Sequence, residues 1–231
     1  MAGELKVLAP DGSRKLLQAC YAYIFCSSSS LLPSAAAHRS MAVRRSMAHG
    51  ETVTKFILLR HGETDCNLEG IIQGRMMDPE LNKTGRRQAD MVAPLLSKEA
   101  KPAAITTTEK VITAGRNIDD VITSEAYKAF ARGGRDQEIP LSGGESLNQL
   151  SERCVSRLNA IAKKHNGEWV VVVSHEMVIK EICRHADPTS SDGRKFPNTS
   201  ISVVHISGSD GRWILEKLGD VGHLTGDGFP P

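Results

Sequence analysis

The chain of 231 residues is long enough to bury one sizeable core, and its length alone does not require two domains. Its 29 basic and 27 acidic residues leave a formal charge of +2, and with 4% aromatic residues and no basic stripe interleaved with aromatics, no nucleic-acid partner is expected. No stretch of about twenty apolar residues occurs, so no membrane span or membrane partner is expected either.

From Gly12 to Gly50 there is no acidic residue, and the run SSSSLLPSAAAHRS is rich in serine and alanine. Residues 1–50 therefore read as a disordered or targeting segment, ahead of a single domain over 51–231. Arg14 and Lys15 before the apolar run from Leu16 to Cys26, then Ala35 to Ala37, also have the order of a secretory signal. Because the acid-poor, arginine-containing sequence continues through Arg44 and Arg45, a plastid-type transit segment is preferred, with a cytoplasmic chain carrying a plain tail as the alternative; Met41 and Met47 are alternative starts.

The segment from Lys55 to Gly74, KFILLRHGETDCNLEGIIQG, begins with the unbroken apolar run Phe56 to Leu59, the length of a strand buried on both faces. It stops abruptly at Arg60, His61 and Gly62. In open α/β sheets ligands bind beyond the carboxyl ends of parallel strands, so a basic pair at that point is aimed at an anion. Arg60 offers a planar fork that matches phosphate oxygens, His61 is a nucleophile while its imidazole is neutral, and Gly62 lets the backbone approach a ligand closely. Taken alone, the two polar residues would read as the start of a solvated loop.

Met76 to Leu81 carries the chain round, and Thr84 is expected to cap a scaffold helix running through Arg86, Ala89 and Val92. Pro94 should end or kink it, leaving Leu95 to Ala100 as a second short piece. Ala103 to Ile105 opens a further strand. GGES then starts a helix whose apolar positions Leu147, Leu150, Cys154, Leu158 and Ile161 recur at spacings of three and four, with Gly167 just past its end. Glu145 at that start reads as a favourable charge near a helix terminus rather than a catalytic group.

Trp169 to Val173 is a second buried strand, and it delivers Ser174 and His175 at its carboxyl end, repeating the geometry of the first. Two such strands bring both imidazoles to one phosphate. A histidine in that place would otherwise be a structural cap. Met177 to His185 forms a helix with Val178, Ile179, Ile182 and Cys183 inward, and SISVVHIS, GSDG and RWILEKL read as a β-hairpin at the sheet edge. His165, His185, His205 and His223 have no partner pattern and read as structural or surface residues. Five cysteines without a CxxC pair suit a reducing compartment, and neither they nor the histidines have metal-ligand spacing, so no metal and no cofactor is expected.

The pattern RHGET with Asn67 six residues after the histidine, followed by LNKTGRRQA, resembles the histidine phosphatase superfamily, also called phosphoglycerate mutase-like. The likeness covers about Thr54 to Gly228, and its C-terminal half (EAYKAF, GGESLNQLSERC, VVVVSHEMVIKEICRH, GDVGHL) resembles the plant phosphoglycerate mutase-like proteins and their relatives the metal-independent phosphoserine phosphatases. The resemblance implies an α/β three-layer sandwich, a mostly parallel doubly wound sheet with helices on both faces and an edge hairpin. It implies catalytic His61, Arg60 and His175, a substrate-binding set of Thr64, Asn67, Gln73 and Gly74, and no metal. The partner is then a small phosphorylated metabolite, with phosphoserine or a sugar-acid phosphate as candidates.

Across 101–144 this chain departs from the family. Where the family carries an SSDLKRAxxTA-like motif with a second phosphate-binding arginine, and further on an acidic proton donor, the sequence here runs KPAAITTTEKVITAGRNIDDVITSEAYKAFARGGRDQ, as if the motif had been cut out. Lys110 or Arg116 as cation, and Glu109 or Asp119 as acid, are the available substitutes. The residue after His175 also departs, Glu176 standing where the family usually has glycine; a carboxylate there repels a phosphate and raises the histidine's proton affinity. Three functions stay open: a phosphomonoesterase working through a phosphohistidine, which is preferred, a mutase within the same family, and a catalytically impaired pseudoenzyme or phosphate-ligand binder.

Overall fold

A computed structural model describes residues 6–8, 50, 52–72, 79–97, 104–107, 146–190 and 194–224. Its strands are β1 (Lys6–Leu8), β2 (Val53–Arg60), β3 (Ala104–Thr107), β4 (Trp169–Ser174), β5 (Ile201–Ser207) and β6 (Trp213–Asp220). The helices are α1 (Asp65–Leu68), α2 (Lys83–Ser97), α3 (Leu147–Lys164) and α4 (Glu176–Ala186). The strands form one six-stranded sheet in the order β1-β3-β4-β2-β5-β6. β1, β3, β4 and β2 run parallel, whereas β5 is antiparallel to both β2 and β6. The edge hairpin expected from the C-terminal strands is therefore present, with β5 inside the sheet and β6 at its rim. Residues 6–8, within the N-terminal segment, pair in parallel with β3 at the other rim.

Alternation along the central strands builds the three layers, since successive side chains of a strand point to opposite faces. Phe56 and Leu58 of β2 and Val170 and Val172 of β4 meet the inward stripes of α3 and α4, among them Leu150, Cys154, Leu158, Val178 and Ile182. Ile57, Leu59, Val171 and Val173 face the other way, onto Ala89, Val92, Ala93 and Leu96 of α2. Both central strands are buried on both faces, as their uninterrupted apolar sequences require.

Two helix boundaries differ from expectation. The cap of α2 is Asn82, not Thr84: Asn82 Oδ1 accepts the Gly85 N–H at 2.8 Å, which places Thr84 inside the first turn. The helix also runs through Pro94 to Ser97 without a break. Pro94 lies on its exposed side, where water can serve the carbonyl left without a helical donor. At the start of α3 the serine of GGES is the cap, Ser146 and Gln149 forming a reciprocal capping box. Gly167, at φ +80°, makes the left-handed turn into β4. The expectations on residues 9–49, Gln73, Gly74, Met76, 98–100, Lys110, Arg116, Glu109, Asp119 and Glu145 lie outside the described residues.

Candidate active site

Adjacent parallel strands in matched register set the site. Arg60 of β2 lies opposite Ser174 of β4, so the next residue on each strand, His61 and His175, emerges at the same edge. Their ring centroids are 4.7 Å apart and the planes are inclined at 66°. His175 occupies the backbone N-cap position of α4, yet its side chain makes no capping hydrogen bond. The ring is turned toward His61 instead.

His61 is 2% exposed and fixed on every side. Its N–H donates to the Ser174 carbonyl at 3.0 Å, and its own carbonyl accepts from Asn198 Nδ2 at 3.0 Å and from the Thr199 N–H at 3.3 Å. Nδ1 lies 2.8 Å from the Gly62 carbonyl oxygen. A carbonyl can only accept, so Nδ1 carries the proton and Nε2 keeps its lone pair. Burial first, and then electrostatic interaction with His175 and Arg60, push the His61 pKa well below its ordinary range, outweighing the Gly62 bond. The imidazole is thereby held in its nucleophilic form.

Arg60 is 16% exposed and donates from Nη1 to the Phe196 carbonyl and, at 3.1 Å, to Glu176 Oε2. Its Nε is buried without a hydrogen-bond partner. Burial lowers the Arg60 pKa and the Glu176 charge opposes that, leaving a cation at the edge of the sheet. The Glu176 carboxylate is thus engaged with Arg60, and its other oxygen accepts from the Phe196 N–H at 3.4 Å.

Thr64 and Asn67 hold each other. Thr64 Oγ1 accepts the Asn67 N–H at 3.2 Å and Asn67 Oδ1 accepts the Thr64 N–H at 3.1 Å, a capping box that closes the single turn α1. Thr64 is buried in this role, whereas Asn67, half-buried, also accepts from Asn198 Nδ2 at 3.3 Å.

The glycine of RHG is required by packing. A Cβ on Gly62 would lie 2.7 Å from the Gly85 carbonyl oxygen, and one on Gly85 would lie 2.0 Å from the Glu63 carbonyl oxygen. The start of α2, read from sequence as plain scaffold, is therefore a clamp on the histidine loop. Asn82 bonds Glu63 through its N–H at 3.0 Å and its Nδ2 at 2.9 Å, and Gln88 Oε1 accepts the Glu63 N–H at 2.9 Å.

A second wrapping segment, Arg194 to Ser200, escaped the sequence reading. Its Phe196, Asn198 and Thr199 bond Arg60, His61 and Asn67, and Thr199 adopts φ +58°, rare for a β-branched residue. The only sequence signal was the turn-forming run Pro197-Asn198-Thr199 ahead of an apolar strand. The other histidines among the described residues have structural partners: His205 with Glu216, His165 with Glu168, His223 with Thr199, and His185 edge-on to Trp213. Among the described residues no group of three or more His, Cys, Asp or Glu side chains is placed to hold a metal ion.

The sequence profile of the histidine phosphatase superfamily (branch 1) matches residues 56–110 and 112–221. The chain belongs to that superfamily. It is 37% identical over 207 positions to phosphoglycerate mutase-like protein 4 of Arabidopsis thaliana, covering 76% of this chain and 89% of that one. To the metal-independent phosphoserine phosphatase of the same plant it is 36% identical over 209 positions, covering 77% and 86%. Among solved structures, phosphoserine phosphatase from Entamoeba histolytica in complex with 3-phosphoglyceric acid superposes with a TM-score of 0.63 at 25% identity, covering 74% of this chain and 99% of that one. The 207 aligned positions exceed what 76% of 231 residues supplies, so the Arabidopsis relative carries additional residues within the matched span. The profile match divides at residue 111, inside the segment read as shortened.

Proposed function

We propose that the protein is a metal-independent phosphomonoesterase acting on small phosphorylated metabolites through a phosphohistidine. The observation that carries the reading is the pair of imidazoles on neighbouring parallel strands, His61 buried, neutral and with Nε2 unprotonated, beside the Arg60 cation. Phosphate monoesters resist attack because their negative oxygens repel nucleophiles, so a site must neutralise those oxygens and hold the nucleophile in line. Nε2 of His61 attacks phosphorus as the bond to the leaving alcohol oxygen breaks, and the phosphoryl group passes to the ring. Water then attacks the phosphohistidine, releasing inorganic phosphate and restoring the imidazole. Arg60 grips nonbridging oxygens, Asn67 hydrogen-bonds another, and His175 steadies the transferring group from the facing strand. The names of the relatives support phosphoserine or a three-carbon sugar-acid phosphate as first substrates to try.

The leaving alkoxide needs a proton, and the sequence between 101 and 144 lacks the family's second arginine and acid in their usual pattern. The alignment break at 111 favours, as a second reading, a binder in which turnover is impaired. Steady-state hydrolysis of a panel of phosphomonoesters by the full chain separates the two. The expected result is turnover that survives chelation of metals, disappears in His61→Ala, and falls by about 10²–10³ in Arg60→Ala, the usual loss for one charge-stabilising donor. Tight ligand binding without turnover on folded protein would instead establish the binder.

A further inference from the structure

Arg60, to which the proposed function assigns the phosphate, already holds an anion in this structure. Glu176 Oε2 sits 3.1 Å from Arg60 Nη1, and the carboxylate is one-third exposed, at 33%. The grip is incomplete: it uses one nitrogen of a planar fork, and the buried Nε has no partner. A phosphoryl group, with three oxygens, can engage two nitrogens of that fork where this carboxylate engages one. Glu176 also has other partners to keep. Lys180 Nζ lies 3.7 Å from Oε1, one turn further along α4, and the Phe196 N–H donates to the same oxygen. Losing Arg60 would leave the carboxylate at the surface with a cation and a donor still beside it.

We propose that Glu176 is an intramolecular competitor for Arg60, a positioning residue that keeps the guanidinium aimed while the site is empty and releases it to the incoming phosphoryl group. The proposal rests on the assignment of phosphate to Arg60. Its consequence is that the wild-type site binds phosphate more weakly than its cation and imidazoles allow, because each binding event displaces an ion pair. A fully structural role for Glu176, tying α4 to the Arg194 to Ser200 segment, has the opposite consequence: removing its charge would loosen Arg60 and weaken binding.

Calorimetric titration of inorganic phosphate into the full-length wild type, Glu176→Gln, Arg60→Ala and the double variant decides between them. Gln keeps the acceptor for the Phe196 N–H and removes the charge, so folding should survive; Glu176→Ala serves as a second test of the same point. The expected result is phosphate affinity raised about fivefold in Glu176→Gln, the scale of a partly exposed ion pair, with no gain from the same change in the Arg60→Ala background. Equal or weaker binding by Glu176→Gln, or no binding by either protein, overturns the proposal. A gain that persists without Arg60 also overturns it, since the carboxylate then acts by plain repulsion. If Arg60→Ala binds phosphate as the wild type does, the assignment of phosphate to Arg60 itself fails, an outcome distinct from the others.

Discussion

The proposed nucleophile, His61, is kept neutral by its surroundings. The Gly62 carbonyl fixes the proton on Nδ1, and burial with neighbouring positive charge disfavours a second proton on Nε2. The reactive form is therefore present well into acid, and the acidic limb of kcat/KM should lie below the ordinary histidine value of about 6.5. A pH profile with that limb at or above 6.5 would contradict the description of the ring. The same shift bears on stability. The unfolded chain takes up protons on its histidines at about pH 6.5, whereas folded His61, His185 and His223 do so only at lower pH, chiefly because they are buried. Stability is thus full above that pH and declines as the pH falls below it; denaturant titrations of wild type and His61→Gln should show a shallower decline in the variant. Glu216 and Asp220, held below the usual carboxylate range mainly by hydrogen bonds from His205 and Lys217, add a second loss at more acidic pH. At this scale the positions of Arg60, His61 and His175 at one end of the sheet were legible because each stands at or just past the end of a strand recognisable by its apolar run. Glu176 reaching Arg60, and Asn198 reaching His61 and Asn67, were not, since those contacts depend on which strands and loops become neighbours.

Among the elements, α2 is where sequence and structure part most usefully. Its amphipathic pattern was readable, its job was not. Gly85 lets the Glu63 carbonyl pack directly on the helix backbone, a contact that no local pattern encodes. Gly85→Ala should therefore destabilise by about 1–3 kcal/mol, the usual range for overpacking, and should lower kcat by shifting the loop that carries His61. Unaltered thermal stability and turnover would show that the loop does not depend on this clamp. Asn82→Ala should cost about 1 kcal/mol through the lost cap, and should also release the Glu63 side chain. The run through Pro94 was misjudged for a simple reason: proline interrupts a helix according to what its missing donor leaves unsatisfied, and here that falls on the exposed side.

At the scale of the molecule, the three-layer sandwich was implied by the family resemblance, and the two apolar strands buried on both faces agree with it. The order of the sheet brings β2 and β4 side by side, which is what converts two strand-end histidines into one site. The segment 101–144, where the sequence departs from the family pattern, bears on how fast the proposed enzyme would turn over. If the segment 101–144 supplies no acid, departure of the alcohol depends on its own stability as an anion, and aryl phosphates should then be hydrolysed far faster than alkyl phosphates of equal charge. Equal rates for the two would mean that a proton donor exists and must be sought between 101 and 144. The most direct test of the phosphohistidine itself is intact mass of the protein after rapid quenching from a phosphomonoester, comparing wild type with His61→Ala. An acid-labile phosphoryl group on the wild type, absent from the variant, is the result this account predicts. No adduct on a folded wild type that still hydrolyses the ester, or an adduct that survives in His61→Ala, would contradict it.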